Sequence, residues 1–311
     1  MAFVRRAYVP PSNKVYCIDG ASFGTDDSLV DAVQQSIRRR IEQNALEIPR
    51  LPQVAVRIMR IADSDDPDFL EVGRAIETDP ALAARVVSLA NAAAYVGTGP
   101  VVSLGQAISR LGSRAISNIV FVESVRSKVF SSRAYRGVLE ASWRRSLGAA
   151  VACEALSVAS GLERESAFLI GLLHDTGTPA IVHAVAEYAH QNGGRDLPEA
   201  TVEILVTEVH ESIGAHVLRQ WNMPAAVVDA AGCHHHYRGE DSSDAHKLIV
   251  AAHRVVEHLA LTGEEHEASF TIERVFYDIG LNDLDRMGPI LNAVAQAMAS
   301  MLAGFQVNGR G

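Results

Sequence analysis

His174 and Asp175 stand side by side in Gly171-Leu172-Leu173-His174-Asp175-Thr176-Gly177, directly after an apolar run. His210 lies one helical turn ahead of Gly214, and Cys233-His234-His235-His236 closes another apolar stretch. An imidazole–carboxylate dyad with further imidazoles on neighbouring helices is a donor set for a zinc, iron, nickel or manganese ion. In such a set each ring's second nitrogen needs a partner of its own. The ion would lower the pKa of bound water and polarise a phosphoryl oxygen. A plainer reading competes with this one. A His-Asp dipeptide is commonly a hydrogen-bonded internal pair, because buried polar groups are satisfied. Three consecutive histidines cannot share one helix face, so at least one of His234, His235 and His236 belongs to the surface. Of the twelve histidines, His183, His190, His216, His246, His258 and His266 carry no motif.

The elements that must position these residues read as helices. Val30, Val33, Ile37 and Ile41 recur at three- and four-residue steps, as do Trp143, Leu147, Val151 and Ala155, and again Leu205, Val209, Ile213 and Val217. Asp66-Pro67 and Asp79-Pro80 each pair an N-cap with proline at the first helical position; Leu82, Val86 and Leu89 follow the second on one face. Ser103 with Gln106 forms a capping box. Gly112 ends that short helix, and Ser113 caps the next, which buries Ile116, Ile119 and Val120. Asn222-Met223-Pro224 breaks the helix through 201–220, and two further helical patterns lie near 271–279 and 288–303. Alternating strand-like runs are almost absent. The expected fold is all-α, a multi-helix bundle in two lobes. Residues 1–26 form a partly ordered N-terminal arm, 27–130 a first helical lobe, 131–140 a polar joint, 136–262 a second lobe and 263–311 a helical tail.

Composition narrows the function. The formal net charge is −9, which disfavours phosphate-driven nucleic-acid binding. The densest basic run, Arg38-Arg39-Arg40, reads as a solvated helix face. Cys17, Cys153 and Cys233 are scattered and odd in number, which suits a reducing compartment. The start of the chain lacks the apolar stretch of a signal peptide. No apolar run reaches the ~18 residues of a membrane span. The expectation is a soluble, cytoplasmic protein without membrane partners.

Residues about 43–240 resemble the HDOD domain, a branch of the HD superfamily related to HD-GYP cyclic-dinucleotide phosphodiesterases. Leu51-Pro52-Gln53-Val54-Ala55 looks like the family's opening motif. Asp79-Pro80-Ala81-Leu82-Ala83-Ala84-Arg85-Val86 with Leu89-Ala90-Asn91 is similar to "DPALxxRLLxLAN", and Ser103 to Ile108 with Leu111-Gly112 to "SLxxAIxxLG". Trp143-Arg144-Arg145-Ser146-Leu147 sits where the family has "W-x-H-S-L", and Phe168 to Gly177 matches "FxxGLLHDIG". His210 to Ala215 resembles "HxxxGA", Trp221 to Pro224 "WxxP", and His234-His235 falls where paired histidines are common. The strength lies in the collinear set. The resemblance implies an all-α fold and a role in bacterial signalling, and it carries no demonstrated catalysis.

This chain departs from the pattern of metal-binding HD proteins at two ligands. The resemblance places a histidine ligand where Arg145 stands, and a late aspartate where Ile249-Val250-Ala251-Ala252-His253 places His253. A guanidinium is permanently charged and cannot ligate a metal. Two like unit charges about 4 Å apart repel by roughly 4 kcal/mol at an effective dielectric near 20, and a divalent ion roughly doubles that. Arg145 is therefore expected to pair with Asp175 in the cation's place. An alternative is that Arg144 is the residue aligned, or that His253 joins His174, His210, His234 and His235 in an all-histidine site.

The expected pocket, in the cleft between the lobes, comprises Arg145, His174, Asp175, His210 and His253. No metal and no other cofactor is expected there; were a divalent ion present, its ligands would come from His174, Asp175, His210, His234 and His235. Three functions stand open. The leading one is a non-catalytic signalling protein acting through protein partners or a small ligand, such as a nucleotide or other anion meeting Arg145. The second is a metal-dependent phosphohydrolase, for instance on cyclic dinucleotides. The third, disfavoured by net charge, is a DNA-binding regulator.

Overall fold

The computed structural model describes residues 27–43, 51, 53–62, 69–91, 99–130, 134–162, 166–259 and 271–306. The N-terminal arm, Asp66-Pro67 and Cys17 lie outside the described residues, as do the side chains of Leu89 and Ser113. Among the described residues there are thirteen α-helices and no strand. They are α1 (Asp27–Glu42), α2 (Gln53–Ala62), α3 (Phe69–Glu77), α4 (Pro80–Ala90), α5 (Leu104–Lys128), α6 (Arg136–Ser160) and α7 (Ala167–Leu173). Then follow α8 (Gly177–Gln191), α9 (Glu199–Gln220), α10 (Ala225–Cys233), α11 (Asp244–His258), α12 (Arg274–Asp278) and α13 (Leu284–Gln306).

Local sequence explains several boundaries. Asp79 Oδ1 accepts from the Leu82 amide at 3.1 Å, so this aspartate caps α4 ahead of Pro80. Ser103 Oγ accepts from Gln106 N at 3.2 Å, while Gln106 Oε1 reaches back to the Val102 amide at 2.8 Å. The capping box therefore forms with its return bond one residue further out. Gly112 has φ 79, a left-handed value that suits glycine, and it kinks α5 where the sequence placed the end of one helix and the start of another. Asn91, just after α4, holds Val101 through its side-chain amide, whose nitrogen donates to the Val101 carbonyl and whose oxygen accepts from the Val101 amide, at 2.8 Å each. Arg85 of the same motif is buried and pairs with Glu123 of α5 at 2.6 Å.

Two hydrophobic clusters result. The larger joins α2–α5 to α6, α7 and α10–α13, and α13 packs on both α6 and α4. The smaller is built from α1, α8 and α9 with Leu139 of α6. Helix α1, which the sequence placed in the first lobe, thus packs on α8 and α9 of the second. Its Arg38 and Arg39 are exposed, as a solvated face requires, but Arg40 is half-buried and pairs with Glu187 of α8 at 2.5 Å. Helix α6 begins at Arg136, so the second half of the expected polar joint is already helical.

Two glycines allow the closest helix approaches. A Cβ at Gly171 would lie 2.3 Å from the Ala149 carbonyl oxygen of α6, and one at Gly177 would lie 1.9 Å from the His210 carbonyl oxygen of α9. Both contacts are with main chain, which cannot rotate away. Gly177→Ala is therefore expected to cost at least about 3 kcal/mol, at the upper end of overpacking effects. Gly105, early in α5, has open space for a methyl group, and Gly105→Ala should stabilise by up to about 1 kcal/mol. Urea unfolding of both variants checks the pair; a neutral Gly177→Ala would contradict the described crossing.

Candidate functional site

The site is assembled from five segments of the second lobe. Helix α6 presents Ser142 and Arg145, three residues apart and so on one face. His174 and Asp175 occupy the turn between α7 and α8, pressed against α6 at Gly171 and against α9 at Gly177. Helix α9 contributes His210, the turn after α10 contributes His234 and His235, and α11 contributes His253. His174, Asp175, His210 and His234 are buried, whereas Arg145, His235 and His253 are half-buried.

Asp175 has both carboxylate oxygens engaged. Oδ2 accepts from Ser142 Oγ at 2.7 Å and from Arg145 Nη2 at 3.3 Å. Oδ1 accepts from Thr178 Oγ1 at 2.9 Å, and His210 Nε2 stands 4.0 Å away. Burial alone would push the Asp175 pKa up. The Arg145 guanidinium first, then the neighbouring imidazoles and the Ser142 hydrogen bond, outweigh it and hold the carboxyl well below its ordinary range. Arg145 is the arginine that meets Asp175; Arg144 has its Nε buried without a hydrogen-bond partner.

The five imidazoles converge beside this pair. Nδ1 of His174 lies 2.7 Å from the Gly171 carbonyl oxygen, Nδ1 of His210 2.6 Å from that of Val206, and Nδ1 of His234 3.0 Å from that of Ala231. A carbonyl only accepts, so each of these nitrogens carries its hydrogen and turns Nε2 inward. Nε2 of His210 lies 3.1 Å from Nε2 of His234 and 3.1 Å from Nε2 of His235, and Nε2 of His174 lies 2.9 Å from Nε2 of His253. Burial lowers the His174 pKa to about 4 against an opposing pull from Asp175, and lowers that of His235 to about 3, helped by His210, His174 and Arg145 and opposed by Asp175. Burial and mutual repulsion also hold His234 and His253 well below the ordinary value.

All the residues singled out from sequence meet here, and His253 stands among the histidines where a carboxylate was expected by resemblance. His236 is the surface member of the triple, with its side chain 72% exposed. The pocket expected between the lobes is lined, at these residues, from the second lobe alone. Sequence reasoning missed three polar neighbours. Ser142 and Thr178 complete the shell of Asp175, and Glu211 accepts from the His235 amide at 2.8 Å. Ser142 lies three residues before Arg145 and Thr178 three after Asp175, a spacing that pointed to both.

The HDOD domain model matches residues 48–237, more than half of the chain. The protein belongs to the HDOD family. Over 207 residues it is 24% identical to an uncharacterized protein of Treponema pallidum (strain Nichols), covering 64% of this chain but only 39% of that protein. Three crystal structures share the fold. One is a Shewanella amazonensis SB2B protein provisionally named a metal-dependent phosphohydrolase, with TM-score 0.68, 21% identity, and 90% of this chain and 100% of that one covered. A Marinobacter aquaeolei VT8 protein provisionally named a signal transduction protein has TM-score 0.63 and 21% identity, over 88% and 65% of the two chains. An HDOD domain protein of unknown function from Geobacter sulfurreducens has TM-score 0.60 and 19% identity, over 90% and 97%.

The buried neutral imidazoles set a pH dependence. A group whose folded pKa is depressed from 6.5 to about 4, as for His174, takes its proton first in the unfolded chain. Its stabilisation is complete above about pH 6.5 and is lost as pH falls toward 4, about 3 kcal/mol for a single site. Asp175 contributes above about pH 3.9 and loses that contribution only below it, outside this window. Urea unfolding in chelator is therefore expected to weaken steeply from pH 7 to 4.5, and less so in His174→Gln. A flat profile in the parent chain would contradict the neutral cluster.

Proposed function

We propose that this chain works as a signal-transduction HDOD protein that acts through protein partners and does not hydrolyse phosphate esters. One observation carries the reading: Arg145 lies on Asp175, whose two oxygens are already engaged by Ser142, Arg145 and Thr178. A hydrolytic ion needs free ligands and one open position for water. To recruit Asp175 it would have to displace three donors and face a permanent positive charge. Membership of the HDOD family supports a signalling role at the level of class. The net charge of −9 speaks against nucleic acid as the partner, and no described helix is long and apolar enough to cross a membrane.

The reading is tested by turnover. Bis(p-nitrophenyl) phosphate and a cyclic dinucleotide are offered to the protein with manganese, iron(II) or nickel in turn. The expected result is no turnover above that of Asp175→Asn. Metal-dependent hydrolysis that disappears in Asp175→Asn would return the phosphohydrolase reading to first place.

A further inference from the structure

Helix α1 covers a face of the domain without belonging to the matched segment. It precedes residues 48–237, whereas α8 and α9 lie inside that range. Its buried side chains, Val30, Val33 and Ile37, join the smaller hydrophobic cluster with α8 and α9. Among the described residues none of them joins the larger cluster, to which the helices that follow, α2–α5, belong. Two polar contacts flank the apolar stripe. Gln34 Nε2 donates to Glu208 of α9 at 3.1 Å, and Arg40 pairs with Glu187 of α8 at 2.5 Å. The opposite side of α1 carries Asp31, Gln35, Arg38 and Arg39 in solvent. A helix of this length is marginal by itself in water, so its order depends on the face it covers.

We propose that this face of α8 and α9 is a docking groove for an amphipathic helix of a protein partner, and that α1 fills it from within the chain until such a helix replaces it. The partner helix carries apolar residues at steps of three and four and a basic residue at the C-terminal end of that stripe. Helix α1 is the template. Val30, Val33 and Ile37 occupy positions i, i+3 and i+7, the anchor spacing of helix-in-groove recognition. Glu187 and Glu208 place one carboxylate on each of the two groove helices, and Arg40 meets the first of them. Charge complementarity therefore selects a cation at that end of an incoming helix. Resting on the reading that the protein acts through protein partners, the groove gives that partner a place and a chemistry.

Exchange of one helix for another restores each lost contact with one of the same kind. The tether gives α1 the advantage, because it competes at a high effective concentration. The affinity of the groove for a separate helix is then reduced by the fraction of chains in which α1 is undocked. Weakening the hold of α1 must raise that affinity. The groove also adjoins the polar centre. Helix α8 begins at Gly177, directly after the turn that bears His174 and Asp175, and α9 bears His210. A change of occupant thus acts on the two helices that flank the dyad.

The test uses the full chain, with a fluorescein-labelled peptide of residues 27–43 as probe and anisotropy as the readout. Val33→Asp/Ile37→Asp puts carboxylates where α1 must be buried. This variant is expected to bind the peptide one-to-one and at least about 30-fold tighter than the parent does. A peptide carrying Arg40→Glu should bind the variant about tenfold more weakly, and Glu187→Arg added to the variant should restore its binding. A peptide carrying Val33→Asp should not bind. Should the double variant fail to fold, Ile37→Ala carries the same comparisons, with an expected gain of about fivefold over the parent. Equal affinity in parent and undocked chains, or an Arg40→Glu peptide that binds as well as the original, would overturn the groove. So would a parent dimer that the double variant dissolves, since the face would then belong to a second copy of the chain. Phosphodiester turnover by the parent would sink the underlying reading and leave the peptide result unchanged.

Discussion

The contact between Arg145 and Asp175 governs the chemistry of the whole centre. A carboxylate as buried as this one requires a counter-charge and hydrogen bonds for its lone pairs. The chain supplies both, one from the guanidinium and the others from Ser142 and Thr178. At His174, His234, His235 and His253 burial outweighs the pull that Asp175 still exerts on His174 and His235, and the charged form of these four rings is disfavoured. Arg145 therefore both engages the Asp175 carboxylate and offsets its charge.

The packing that enforces this contact is backbone on backbone. The dyad lies in the turn between α7, whose side chains belong to the larger hydrophobic cluster, and α8, whose side chains belong to the smaller one. Gly171 brings that turn onto α6, and Gly177 brings it onto α9. With main-chain atoms in contact on both sides, the turn has no slack, and the His174 and Asp175 side chains are aimed by the helices rather than by their own rotamers. These two crossings thus set the dyad against Arg145 of α6 and His210 of α9, while α10 and α11 bring the other imidazoles.

Much of this was legible in the residues. The helices declared themselves through apolar spacing and caps, and Asp79, Ser103 and Gly112 act where their types suggest. Leu205, Val209, Ile213 and Val217 are all buried on α9 as the four-residue step required. The meeting of Arg145 with Asp175 followed from aligning an arginine with a ligand position and asking what a fixed positive charge would seek. What was not legible depends on distance in space. Nothing local in α1 says that it packs on α8 and α9, and Arg40 reads as solvent-facing until Glu187 is brought beside it. The direction of each imidazole was likewise hidden, because it depends on the carbonyl groups of Gly171, Val206 and Ala231, three or four residues earlier, lying within reach of each ring.

Placing the polar centre at the junction of two hydrophobic clusters bears on how an HDOD protein could signal. Close-packed cores do not deform smoothly; they shift between discrete arrangements, and an element shared between two cores is where such a shift is biased. The α7–α8 turn is such an element here. Any change in its charge, whether a proton gained by the imidazoles or loss of the guanidinium from Asp175, must be absorbed by helices belonging to both clusters, since the glycine contacts leave no room for a local adjustment. The centre draws its side chains from α6, α9 and α11 as well as from this turn, so a change in its charge bears on the relative packing of those helices.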